Sequence, residues 1–223
     1  MQLALIHTAP KILKPISSQL IWEIESVNNE VFLTFDDGPH PTITPWVLDQ
    51  LKKHHMKGTF FLVGENAKKH PEVVQQIINE GHHIGNHTYN HLNGWTNSSF
   101  KYYRNTLKCQ PYIQSTLFRP PYGRITRAQH KKLSTRYKII MWSVLSGDYD
   151  RSISPKTITS AVLKKTIPGS VIVFHDSEKA EKNLRQSLPK VLAGLSEMNL
   201  KSISIPYTVE NSNSTRGQGN QIS

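Results

Sequence analysis

Asp36 and Asp37 stand side by side where the β-forming run VFLTF (31–35) meets a Gly-Pro turn. Like charges this close repel and are costly to desolvate. The pair therefore suits either a solvated turn, for which Asp-Asp-Gly-Pro is ordinary, or the neighbourhood of a cation. His87 and His91 are four apart in NHTYNH (86–91). One helical turn brings such a pair onto one face within reach of a single ion, although two of eleven His at that spacing can also be incidental. Two imidazoles and one carboxylate leave a fourth position open, as in a catalytic zinc site; closed structural sites use four ligands. Two neighbouring carboxylates can then divide the work, one on the cation and one free to take a proton from its water.

The elements that must position these groups alternate along the chain. EVFLTF (30–35), GTFFLV (58–63), HHIGNH (82–87), STLFRPP (115–121, at its start), KIIMWSV (138–144), GSVIVFH (169–175) and KSISIPY (201–207) read as strands. Between them, helical spacing is read at 44–55, with Thr44 as N-cap and Pro45 at the first position, and at 70–81, where Gly81 is the C-terminal stop. Further helices are read at 98–109, 126–137, 154–166 and 181–198. This βαβα order predicts parallel strands covered by helices. Reactive side chains gather after the strands: Asp36 and Asp37, His87, Arg119 and Tyr122, Asp148 and Asp150, His175 and Asp176. In parallel α/β folds that edge is where ligands bind.

The chain has 223 residues, 37% of them hydrophobic, with 13 Pro, 12 Gly and one Cys, so it reads as globular. Lys and Arg exceed Asp and Glu by 27 to 16, a net +11 that attracts anions. The basic residues are scattered in short pairs and no nucleic-acid-binding signature accompanies them, so nucleic acid is not an expected partner. Cys109 is alone and is read as a spectator thiol. No G-x-S-x-G elbow supports a serine hydrolase. No apolar run approaches the length of a membrane span and no export signal is read, which predicts a soluble, cytoplasmic protein. Residues 1–28 are expected to be a segment packed on the main domain of residues 29–207, and 208–223 a disordered polar tail.

TFDDGPHP, HTYNH, RPPYG, WSVLSGDYD and VFHD, in that order and spacing, resemble the five motifs of carbohydrate esterase family 4, the polysaccharide deacetylases with a NodB-homology domain. The resemblance covers roughly residues 29–207. It implies a single-domain distorted (β/α) barrel and metal-dependent removal of acetyl groups from N-acetylated sugars, or from acetylated xylan in some members. It further implies Asp36 as general base and Asp37, His87 and His91 as ligands of a divalent ion, usually zinc, with cobalt or nickel able to serve. Arg119 would orient Asp36 and keep it ionised, the backbone N–H of Tyr122 would help hold the oxyanion, and His175 would be the general acid with Asp148 as its partner. The fourth motif departs from the family's Asp-x-x-Asp-Trp: Leu145 and Tyr149 replace the first acid and the Trp, while Asp148 is retained. That departure bears on the groove wall and substrate preference. Asp150 and Asp176 are read as structural, His40 as rim, Trp95 and Trp142 as core or wall, and Glu65 as a loop or helix-capping residue. The expected partner is a carbohydrate. The rival readings are hydrolysis of another small amide and an inactive glycan-binding relative; the second should have lost a ligand, the base or the acid, and this sequence keeps them all.

Overall fold

The computed structural model describes residues 20–26 and 28–206. The first nineteen residues of the expected N-terminal segment, and the expected tail at 208–223, lie outside the described residues. The strands are β1 (Leu20–Ile21), β2 (Glu30–Asp36), β3 (Gly58–Leu62), β4 (His83–Asn86), β5 (Leu117–Phe118), β6 (Lys138–Ile140), β7 (Val144–Leu145), β8 (Val171–His175) and β9 (Lys201–Ser202). The helices are α1 (Ile43–Lys53), α2 (Gly64–Lys69), α3 (Pro71–Asn79), α4 (Ser99–Leu107), α5 (Arg127–Leu133), α6 (Pro155–Lys165) and α7 (Glu181–Glu197). The strands pair in parallel in the order β1-β6-β5-β4-β3-β2-β8-β7, with β9 beside the start of β2. The sheet curls into an open half-barrel, the distorted (β/α) barrel that the motifs imply.

Central strands are apolar because both faces are covered. Val31, Phe32, Leu33 and Phe35 of β2 are all buried. Phe35 stacks on Phe60 at 4.9 Å between ring centroids and faces Phe174 at 6.4 Å. These rings join Val47, Leu48 and Leu51 of α1 and Leu188, Val191 and Leu192 of α7 in the largest apolar cluster. Phe35→Ala is expected to cost about 3–5 kcal/mol of stability, read as a lower denaturant midpoint, because the stacked neighbours cannot close the space.

Three local readings change, each for a physical reason. Thr44 does not cap α1; it lies buried in the first turn and its hydroxyl bonds Asp176. The N-cap is Thr42, whose own side chain makes no cap bond; His40, two residues earlier, accepts at Nδ1 from the N–H groups of Thr42 and Ile43 at 3.3 Å while its backbone N–H donates to Thr44 Oγ1 at 2.8 Å. The run KIIMWSV is two strands, because the carbonyls of Ile140 and Met141 turn to the Arg119 guanidinium. The segment GENAKK forms α2, with Glu65 in its first turn. Among the described residues no helix is long and apolar enough to cross a membrane.

Candidate metal centre and active site

Asp36 is the last residue of β2 and lies in register with His175, the last residue of β8. The next residue, Asp37, takes a left-handed backbone (φ +80°), which turns its side chain away from the course of the strand. Asn66 of α2 donates to the Asp37 carbonyl at 2.9 Å and fixes that turn.

His87 and His91 are brought together by a loop, not by the helical turn their spacing suggests. Thr88 and His91 both have positive φ. The loop is held from all sides: Gly64 N–H donates to Thr88 O, Glu65 N–H to Tyr89 O, and Thr88 Oγ1 accepts from Leu92 N–H. The two imidazole centroids stand 5.1 Å apart.

Asp37, His87 and His91 each offer a ligand atom, and these atoms lie within 4.8 Å of one another. Asp37 Oδ1 is buried without a hydrogen-bond partner, 3.2 Å from His91 Nε2 and 3.8 Å from His87 Nε2. An orphaned carboxylate oxygen facing two imidazole nitrogens fits a cation. His87 Nδ1 lies 2.8 Å from the Arg119 carbonyl, which can only accept, so Nδ1 carries the proton and Nε2 keeps its lone pair toward Asp37. Burial pushes His87 down to about 4, so it is neutral as a ligand must be. Burial raises the Asp37 carboxyl, but His91, His175 and His87 outweigh it and hold the group below the usual carboxylate range.

Asp36 is paired with Arg119, whose guanidinium is wholly buried. Arg119 Nη1 donates to Asp36 Oδ1 and to Thr34 Oγ1, both at 2.7 Å, and Nε and Nη2 donate to the Ile140 and Met141 carbonyls at 3.2 and 2.9 Å. The guanidinium also lies over the Phe61 ring at 4.1 Å. Thr34 is a supporting residue that the motifs do not reveal; only its position two residues before Asp36, on the same face of β2, hints at it.

His175 Nδ1 lies 2.7 Å from Asp148 Oδ1, and its backbone N–H donates to Asp148 Oδ2 at 2.8 Å. Burial works against the charged imidazole, yet Asp148 outweighs it and His175 is pushed up to about 9. Tyr149, in the place of the family's Trp, sets its ring edge-on to His175 at 5.0 Å. Asp176 is buried; desolvation, with Asp37 and Asp36 adding repulsion, pushes it up to about 8. Burial and the neighbouring carboxylates thus favour its neutral form, which limits the negative charge beside Asp36 and Asp37. Asp150 accepts from Ser152 and belongs to the loop. Burial pushes the Cys109 thiol up to about 12, which leaves no nucleophile there.

Tyr122 has φ +59°, and its hydroxyl lies 3.1 Å from His91 Nδ1. Its ring stands edge-on to His91 at 4.6 Å. Trp142 packs on the barrel wall, edge-on to Trp22. Trp95, expected in the core or wall, is 64% exposed.

The arrangement brings an Asp36–Arg119 pair, a His175–Asp148 pair and three side chains that could hold a metal ion to one edge of the sheet, a set suited to hydrolysis of an amide or ester. Comparison with known proteins gives the same direction. The family model described as "Polysaccharide deacetylase" matches residues 24–137, which spans the first three motifs. A peptidoglycan-N-acetylglucosamine deacetylase of Bacillus cereus is 38% identical over 191 residues, covering 82% of this chain and 69% of that protein. A chitooligosaccharide deacetylase of Azorhizobium caulinodans is 32% identical, covering 75% of this chain and 85% of its own. Among solved structures, a peptidoglycan N-acetylglucosamine deacetylase in complex with 4-naphthalen-1-yl-N-oxidanyl-benzamide superposes with a TM-score of 0.80 at 37% identity, over 84% of this chain and 91% of that one. A CE4 family pseudoenzyme of Bacillus anthracis superposes at 0.73 with 25% identity, over 85% and 68%.

Proposed function

The chain belongs to the polysaccharide deacetylase family, hydrolases acting on carbon–nitrogen bonds other than peptide bonds, and on that premise we propose that it removes acetyl groups from N-acetylglucosamine-containing glycans with the help of a divalent cation. The observation that carries the reading is the buried, unpartnered Asp37 Oδ1 facing two imidazole nitrogens. Asp36 and His175 flank it in register on neighbouring strands.

Asp37, His87 and His91 would hold the ion, zinc by the donor set, with cobalt or nickel as substitutes. When bound, it polarises the amide carbonyl and lowers the pKa of water. Asp36, held by Arg119, takes the proton from the attacking water. The backbone N–H of Tyr122 would donate to the oxygen on which charge develops. His175, charged through Asp148, gives its proton to the departing amine, which is too poor a leaving group to go as an anion. An acid and a base in opposite environments, His175 beside a carboxylate and Asp36 beside a guanidinium, are the pairing such chemistry uses.

The inactive-relative reading is disfavoured because Asp36, Asp37, His87, His91, Arg119 and His175 are all retained. The test is acetate release from N-acetylglucosamine oligomers, peptidoglycan fragments and acetylated xylan. Activity is expected on the first two, abolished by a chelator and restored by zinc. Undiminished release after the metal has been stripped would sink the mechanism; release from xylan alone would move the substrate.

A further inference from the structure

Beside the metal cluster, three side chains form an exposed shelf. Trp95 is 64% and Tyr122 59% exposed. The Arg124 guanidinium lies against both rings, 5.1 Å from the Trp95 centroid and 5.8 Å from that of Tyr122. The shelf is continuous with the site through the Tyr122 hydroxyl on His91.

A large apolar ring left in water on a mobile turn would carry no meaning, but this turn is fixed. The Asn93 side chain accepts from Trp95 N–H at 3.0 Å. The buried amide of Gln129 donates to the carbonyls on either side of Trp95, those of Gly94 at 2.8 Å and Asn97 at 3.1 Å. Gly94 itself lies so close to the Arg124 carbonyl that a Cβ there would collide with it. The fold therefore holds an indole face out toward solvent, the form in which aromatic rings meet the apolar face of a sugar.

The charge around the shelf is one-sided. None of the sixteen Asp and Glu lies between Glu80 and Asp148, whereas ten of the 27 Lys and Arg do. Lys101 and Arg104 of α4, Lys108 just after it, and Arg127, Lys131 and Lys132 of α5 are exposed, and the two helices pack together. No carboxylate pairs with Arg124 among the described residues. A guanidinium pinned between two rings and left without an anion is a preorganised carboxylate acceptor.

We propose that Trp95, Arg124 and Tyr122 form a subsite for a carboxylate-bearing sugar residue next to the one that is deacetylated, with Trp95 as platform and Arg124 as anion contact. The proposal rests on the deacetylase reading of the adjacent centre. The occupant is an acidic amino-sugar glycan. In peptidoglycan every second sugar carries a lactyl group ending in a carboxyl, free or continued by an acidic peptide, whereas chitin-type oligomers are neutral.

The test is direct binding, measured by calorimetry on the full chain with two probes: a neutral N-acetylglucosamine tetramer and a peptidoglycan tetrasaccharide with free lactyl carboxylates. Wild type is expected to bind the anionic probe about tenfold more tightly, the effect of one charge-assisted hydrogen bond, and to lose that preference as salt is raised. Arg124→Gln should collapse the ratio toward one, and Trp95→Ala should weaken both probes by about tenfold, the scale of one lost aromatic stacking contact. Both side chains are exposed, so neither variant threatens the fold. Equal wild-type affinities, or an unchanged ratio in Arg124→Gln, would overturn the subsite. A short DNA duplex bound more tightly than the anionic glycan would also overturn it, assigning the basic face to nucleic acid. Absent acetate release with the binding ratio intact would strike the deacetylase reading alone.

Discussion

Asp36→Asn is expected to lower kcat by about 10²–10⁴, the span of a lost general base, while one divalent ion per chain remains bound. Asp37→Asn and His87→Ala are expected to lose the ion and the activity together. The separation follows from geometry. Asp37 Oδ1 faces the two imidazoles, whereas Asp36 Oδ1 is spent on Arg119. The choice of Asn matters. Removing the Asp36 side chain altogether would strand a wholly buried guanidinium, a change that costs about 3–5 kcal/mol in comparable pairs. Asn keeps the shape and an acceptor oxygen for Arg119, so the fold should survive and the rate loss can be read as chemistry. Metal content by elemental analysis and acetate release on the same preparations decide the matter. If Asp36→Asn emptied the site and Asp37→Asn did not, the two aspartates would have exchanged roles.

The second large effect lies with Asp148. His175 must be protonated to donate, so kcat/KM falls as pH rises through its pKa. In the metal-free chain that value is about 9: burial lowers it and Asp148 more than restores it. A bound cation nearby favours the neutral imidazole, so the alkaline limb of the metal-loaded enzyme should fall at or below this value. Asp148→Asn removes the charge and leaves the burial, so the limb is expected to move to lower pH by about 1–3 units. Between the displaced limb and the parent's limb the variant then lacks the protonated acid, and its rate falls at pH values where the parent still works. The Asn side chain can still accept from the His175 backbone N–H, which preserves the loop. His175→Ala should abolish the limb altogether. A limb that stays in place in Asp148→Asn would mean that another group donates the proton.

The candidate residues could be singled out in the sequence because each follows a strand-like run. The pattern of apolar runs places β2, β3, β4 and β8, and parallel order then forces Asp36, His87 and His175 to one edge. The amino-acid types alone left a solvated turn and an incidental His pair as alternatives; the resemblance of the five ordered motifs to the polysaccharide deacetylases is what assigned the roles. What the sequence left open was settled by contacts far apart in the chain. The Arg119 ion pair joins residues 83 apart and the His91–Tyr122 contact residues 31 apart; no local periodicity encodes either. The loop that unites His87 and His91 rests on left-handed residues and on carbonyls capped by α2, so the four-residue spacing suggested a helix that does not form. Thr44 does not cap the first helix because the preference for hydroxyl caps is a tendency of free helix ends, and here Thr44 is drawn into the core by Asp176, so the helix begins two residues earlier, after Thr42. Trp95 reads as core by hydrophobicity alone. Only the tertiary structure, with Gln129 gripping the backbone on both sides of it, turns that ring outward beside Arg124. Composition and order determine which chemistry the chain can do; long-range packing decides which atoms face one another, because only the closed sheet sets the distances between strand ends.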